Sequence, residues 1–272
     1  MTPDGSLPDR ERWLRQTAMT DPGSGASSLD GLPDDIAGLC RVVQGALIHT
    51  SWISAYDLTQ SDLASASRQT LPLSDRLRRL AATASEPLGR QRSPKARLPG
   101  TCRDFAVMLC GLLRHKGILA RVRCGFAAYF YERRWEDHWI CQAWMPRERR
   151  WRRIDAQLDD VLTKHLQIDF DVTDIAEDMF ISAGEAWRRC RLGQDDPNMF
   201  GHGTIGGLWF VRVNVIRDHY ALNGAEVSDW DTWRDAVARH QQLSDDEQRE
   251  ADAIAAHPAQ PLRRGIPPWI AS

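Results

Sequence analysis

The sequence predicts an α+β fold, and three observations carry that assignment. Gly100 to Lys116, reading GTCRDFAVMLCGLLRHK, places Phe105, Met108, Leu109, Leu112 and Leu113 at helical spacing, one apolar stripe bounded by Pro99–Gly100 and Gly117. After Gly117 three runs, ILARVRCGFAAYFY, WICQAWM and WRRID, have the β-branched, aromatic and partly alternating character of antiparallel strands. Helical patterns stand on both sides of this block. The 272 residues are 42% hydrophobic and 26% charged, which is ordinary globular composition and enough for a sizeable core.

Taken in order, residues 1–32 are rich in Asp, Pro, Gly and Ser and are expected to form a partly disordered extension. A single domain is expected over 33–272. Its first part, 33–97, is a helical layer. A helix begins near Pro33, with Asp34 and Asp35 in its first turn and Ile36, Leu39, Val43 and Leu47 on one face. A shorter helix follows, with Ser74 as N-cap and Leu77 and Leu80 inward. Glu86 to Pro99 reads as a surface connection. The part from 98 to 160 holds the cysteine helix and the strands. In the remaining part, 161–272, a helix from about Ala183 ends at Gly193, and GHGTIGG lacks the spacing of a dinucleotide fingerprint, which leaves His202 as a loop residue. Val211, Val213 and Val215 suit a strand, while Leu208, Val211, Val215 and Tyr220 suit a buried helix, and length favours the helix. Two further helices are expected, one around Trp230 to His240 and one opened by a Ser-x-x-Glu capping box at Ser244.

Cys102 falls in the first turn of its helix, where unpaired N–H groups and the positive end of the helix dipole favour a thiolate, the form that acts as nucleophile. Cys110, deeper in the same apolar stripe, reads as a small core residue. A nucleophilic cysteine needs a base, and the strands supply one. A hairpin turning at Pro146 and Arg147 would set His138 directly opposite Asp155, while a longer loop through Pro146 to Arg150 would shift the register by a residue or two and leave a diagonal contact. Cysteine, histidine and aspartate on a helix start and two strands is the layout in which an imidazole takes the thiol proton and a carboxylate fixes its tautomer.

These residues carry a resemblance. GTCRDFAVMLCGLLRHKGILARVRCGF, then EDHWICQAW, then WRRIDAQLD, about Leu98 to Leu158, is similar to the core of the transglutaminase-like superfamily. The resemblance implies a papain-like fold with a Cys-His-Asp triad, whose nucleophile, base and orienting carboxylate fall on Cys102, His138 and Asp155. Arg103 departs from the family pattern, which often has an aromatic residue there. The expected chemistry is cysteine-dependent attack on an amide or ester carbonyl through a thioester, with hydrolysis and acyl transfer both open, and a non-catalytic binding module with the same fold as the alternative. The Cys102 backbone N–H would be one oxyanion donor, and Trp52 and Gln44, upstream of the cysteine, are the candidates for the second. A protein, a peptide or a small-molecule amide or ester is the expected substrate.

Other chemistries fit less well. The formal net charge is −2, so no global field recruits nucleic acid or an anionic membrane. Arg121 to Arg153 carries nine arginines against four acids, interleaved with aromatic residues, but Asp155 to Asp196 carries eleven acids against four bases and would neutralise a nucleic-acid platform. The two stretches are expected to face each other. Cys102, Cys110, Cys124, Cys141 and His138 lack the paired spacing of zinc ligands, and no phosphate or flavin motif occurs, so neither metal nor cofactor is expected. Six cysteines without dense spacing, a first segment without an apolar leader core and no long apolar run lead to the expectation of reduced thiols in a cytoplasm. The sequence assigns no oligomeric state.

Overall fold

The computed structural model describes residues 7–63, 71–83, 86–226 and 242–262. The expected helix at Trp230 to His240 lies outside them. Contacts group the chain into two compact units, Met1–Val122 with Ile140–Ile175, and Arg123–Trp139 with Ala176–Ser272, which cut across the blocks expected at 33–97, 98–160 and 161–272. Helix and sheet are mixed in an α+β arrangement.

The first unit is built on the cysteine helix. Helices α1 (Arg10–Leu14), α2 (Ile36–Ala46) and α3 (Leu73–Thr83) precede α4 (Cys102–His115). From Arg103 to Arg114 every residue of α4 is buried. The segment expected to be partly disordered is described from residue 7 onward, with Trp13, Met19, Leu29 and Leu32 buried and Leu7 exposed. Trp13 meets the Trp151 ring edge-on at 5.6 Å, and the Arg121 guanidinium covers both rings. Gly111 admits the chain at Thr20 against α4, since a Cβ there would lie 2.6 Å from the Thr20 carbonyl oxygen.

Asp35 caps α2 by accepting from the Gly38 N–H at 2.8 Å. The expected continuation through Leu47 is corrected: Leu47–His49 is strand β1, parallel to β2 (Leu98–Gly100), with Leu47 opposite Leu98 and His49 opposite Gly100. A partner so distant in sequence overrides the local helical period.

The start of α4 is fixed by a capping box in which the Asp104 carboxylate accepts from the Thr101 N–H at 2.6 Å. Its other oxygen accepts from the Leu71 N–H at 3.3 Å and from the Arg76 guanidinium, a pair with 2% and 1% side-chain exposure.

Strands β3 (Ala120–Ala127) and β4 (Trp135–Met145) each contribute to both units. In the first, β5 (Arg150–Ile154) pairs antiparallel with β4, with Met145 opposite Arg150 and Cys141 opposite Ile154. Arg149 turns the connection with φ +53°. This is the register expected of the longer loop, shifted by two residues from the one in which the turn falls at Pro146 and Arg147. Of the two charged stretches, Arg150 pairs with Asp174 through two guanidinium hydrogen bonds. Helix α5 (Asp160–His165) closes this unit.

The second unit holds β6 (Phe180–Ser182), α6 (Ala183–Arg191), β7 (Phe200–His202), β8 (Ile205–Gly206), α7 (Leu208–Leu222) and α8 (Asp245–Ala256). Strand order is β6-β3-β4-β7-β8, with β4 and β7 parallel, β6 antiparallel to β3 and β8 antiparallel to β7. Phe126, Trp187, Phe200, Phe210 and Val215 form its core. Helix α7 is buried on most of its surface, and its polar residues are matched: Asp218 binds Arg123 in a bidentate pair at 2.8 and 2.7 Å, and Arg217 donates to Asp137 at 3.2 Å. His202 lies on β7 rather than in a loop. Its Nδ1 is 2.6 Å from Glu136 Oε1, and this hydrogen bond raises the imidazole pKa, with Asp137 adding to the effect and burial and Arg217 opposing it.

Two predictions follow from these contacts. Replacing Asp104 by Ala removes the cap and leaves the Arg76 guanidinium buried without its counter-charge, a loss of about 3–5 kcal/mol in urea unfolding. The Glu136–His202 bond favours the protonated imidazole in the folded state, so its stabilisation is complete below the unfolded value near 6.5 and fades as pH rises through the higher folded value. His202→Gln should therefore lower the unfolding midpoint more at pH 6 than at pH 8.5; an equal loss at both would contradict this linkage.

Candidate active site

Cys102 is the first residue of α4, immediately after the N-cap Thr101, and its thiol is half-buried. The local sequence forces this. Pro99 and Gly100 leave in extended β2, Thr101 is extended, and the Thr101–Asp104 box starts the helix at the next residue. Four other cysteines, Cys40, Cys110, Cys124 and Cys141, are fully buried. Burial pushes the Cys40 and Cys141 thiols well above their ordinary range. Cys190 is half-buried at the margin of the second unit's core, and burial with the charges of Asp195 and Asp196 raises its thiol to about 12.

Asp155 follows β5 in the same unit as Cys102. It is buried, its N–H donates to the Val172 carbonyl at 2.9 Å, and its Oδ1 accepts from the Gln157 N–H at 2.9 Å. His138 lies on the part of β4 that belongs to the second unit and is 2% exposed. The edges of two aromatic rings hold its imidazole, Phe130 at 4.8 Å and Tyr129 at 5.9 Å between centroids.

Both side chains named as oxyanion candidates have contacts within the first unit. The Gln44 amide donates to the Leu158 carbonyl at 3.0 Å, tying α2 to the chain just after Asp155. The Trp52 ring meets His165 of α5 at 6.1 Å, nearly edge-on.

Sequence reasoning missed Asp159. Asp159 caps α5 by accepting from the Val161 and Leu162 N–H groups at 3.1 Å, and the same carboxylate accepts from Tyr56 and Arg97, each at 2.8 Å. Arg97 immediately precedes β2, so one carboxylate ties the approach to Cys102 to the segment after Asp155. Its effect reaches the Tyr56 phenol, whose pKa burial and the Asp159 charge push far up. An Asp before the apolar Val161 and Leu162 is an N-cap signal, and it was legible in DDVLTKHL.

Among the described residues no group of three or more His, Cys, Asp or Glu side chains is arranged to hold a metal ion, and no helix is long and apolar enough to cross a membrane.

Residues 59–156 match the sequence profile of the transglutaminase-like superfamily, so that this chain carries a transglutaminase-like domain there. The matched segment includes Cys102, His138 and Asp155. Among solved structures, a candidate cysteine protease from Cytophaga hutchinsonii is similar at 17% identity and a TM-score of 0.33, over 58% of this chain and 45% of that one. The chain thus spans less than half the length of that protein. No curated protein matches the sequence.

Asp159→Ala should destabilise the protein by about 2 kcal/mol or more, since the charged hydrogen bond from Arg97 loses its acceptor in a poorly exposed site. Asp160→Ala, at an exposed position, should stay within about 0.5 kcal/mol of wild type. Urea unfolding of the two variants side by side checks the contrast.

Proposed function

We propose that this protein is a cysteine-dependent enzyme acting on an amide or ester carbonyl through a thioester at Cys102. The observation that supports this best is local: among six cysteines, Cys102 is the half-buried thiol that begins a helix, within the segment that carries the transglutaminase-like match. His138 takes the thiol proton and returns it to the leaving group, and Asp155 orients the imidazole. The Cys102 backbone N–H, at the helix start, donates one hydrogen bond to the oxyanion. The acyl donor is a protein, peptide or small-molecule amide or ester, and water or an amine completes the reaction. Every step up to the thioester is common to both outcomes.

Burst kinetics with p-nitrophenyl acetate, followed by intact-mass detection of the acyl-enzyme, tests the reading without knowledge of the natural substrate. Cys102→Ala and His138→Ala should abolish the burst. Asp155→Asn should retain acylation, at a loss below the about 10⁴-fold seen for the equivalent change in a serine protease, because a thiolate–imidazolium pair is partly self-sustaining. No burst in the wild-type protein, or a burst surviving Cys102→Ala, would assign the fold to binding instead.

A further inference from the structure

The base of the proposed reaction sits on a strand, and a strand fixes where the Cβ of His138 points but not the plane of its ring. The last torsion of a histidine side chain is soft and broadly two-fold, so a bond to one ring nitrogen leaves the ring able to swing about that bond. Packing can set the plane, and in the second unit the connection between β3 and β4 supplies it. The Phe130 ring crosses the imidazole at 66° with centroids 4.8 Å apart, and the Tyr129 ring crosses it at 83° and 5.9 Å. The two rings stand against each other at 4.7 Å and 47°. They form a corner rather than a flat stack, and a ring seated in a corner is stopped in two directions.

The corner is anchored at both ends, within the same unit. Where β3 gives way to the connection, the Ala128 N–H donates to the Met179 carbonyl at 2.9 Å. Just before β4, the Arg134 guanidinium donates to the Ile205 carbonyl at 3.4 Å, and Arg133 turns the chain with φ +55°. Phe130 is buried and Tyr129 half-buried, so the first ring is the better fixed of the two. Aromatic carbon makes no conventional hydrogen bond, and the corner therefore restrains the plane without competing for the nitrogens that carry the proton.

We propose that Phe130, supported by Tyr129, is the positioning residue for the His138 imidazole, an inference that rests on the thioester reading given above. In the step it serves, His138 takes the proton of the Cys102 thiol, and sulfur keeps the pair of the S–H bond and uses it to form the C–S bond while the C=O π pair moves to oxygen. Collapse restores the C=O bond and expels the leaving group, which keeps its bonding pair and takes the proton from His138. The imidazole has to meet two different atoms in turn, so a ring plane that wanders costs rate at both. Phe130 and Tyr129 exchange no proton in these steps; they act through His138.

Phe130→Leu keeps an apolar group in the same place and removes the ring. It should slow the p-nitrophenyl acetate burst by about 10-fold or more, inside the roughly 10²–10⁴-fold that a positioned acid–base group contributes. The pH profile of Cys102 alkylation by iodoacetamide should move in the same direction as in His138→Ala, by less. Phe130→Tyr returns the ring and should bring both readouts back to wild type. Lost packing alone would lower the urea midpoint of the Leu variant and leave burst and profile where they were, so unfolding is measured alongside. An unchanged burst and profile in folded Phe130→Leu overturns the inference and leaves the thioester reading intact, and so does a Phe130→Tyr variant as slow as Phe130→Leu. Should Phe130→Leu fail to fold, Tyr129→Leu at the half-buried position carries the same test, with Tyr129→Phe as the restoring variant. A wild-type protein without any burst removes both the inference and the reading beneath it.

Discussion

The carboxylate of Asp104 is the constraint on which the cysteine helix depends. One oxygen closes the N-terminal box with Thr101, and the other neutralises Arg76 in a pocket from which water is excluded. Burying a cation and an anion together is costly, and the pair is tolerated because the anion also satisfies backbone donors at Thr101 and Leu71. What results is a helix whose first residue is not negotiable. A cap one position earlier or later would turn residue 102 by about 100° around the axis and present another side chain where the thiol stands.

A second carboxylate, Asp159, does for the loops what Asp104 does for the helix. Tyr56, Arg97 and the start of α5 converge on it from three separate parts of the chain. The pieces of the first unit that flank Cys102 and Asp155 are therefore joined by charge-assisted hydrogen bonds rather than by apolar packing alone, and such bonds are directional. Directionality suits a site whose working groups have to keep their angles as well as their distances.

The sequence carried the fold class and the cysteine helix because both depend on local periodicity and on punctuation by proline and glycine. The strong stripe from Phe105 to Leu113 could hardly be read otherwise. It failed where a distant partner decides. Leu47 continues a helical pattern but is drawn into β1 by Leu98, and between the two hairpin registers that the sequence left open, the structure takes the longer loop, with Arg149 in a left-handed conformation for which arginine gives no signal. The N-terminal segment looked too polar to fold, yet Trp13 anchors it against Trp151 and Arg121, and Gln16 and Thr20 bond to α4. Composition averages over residues, whereas anchoring needs only a few.

The close approach at Gly111 has a consequence for the order in which the chain can assemble. The Gln16 amide donates to the Gly111 carbonyl, and the Arg114 guanidinium donates to the Thr20 hydroxyl, contacts that span 95 and 94 residues. Trp13 waits longer still, for Trp151. The segment from Trp13 to Thr20 is thus late to dock, because the surfaces it covers belong to α4 and to Trp151, far along the chain. Until then the flank of α4 that it covers stands open to water and to other nascent chains.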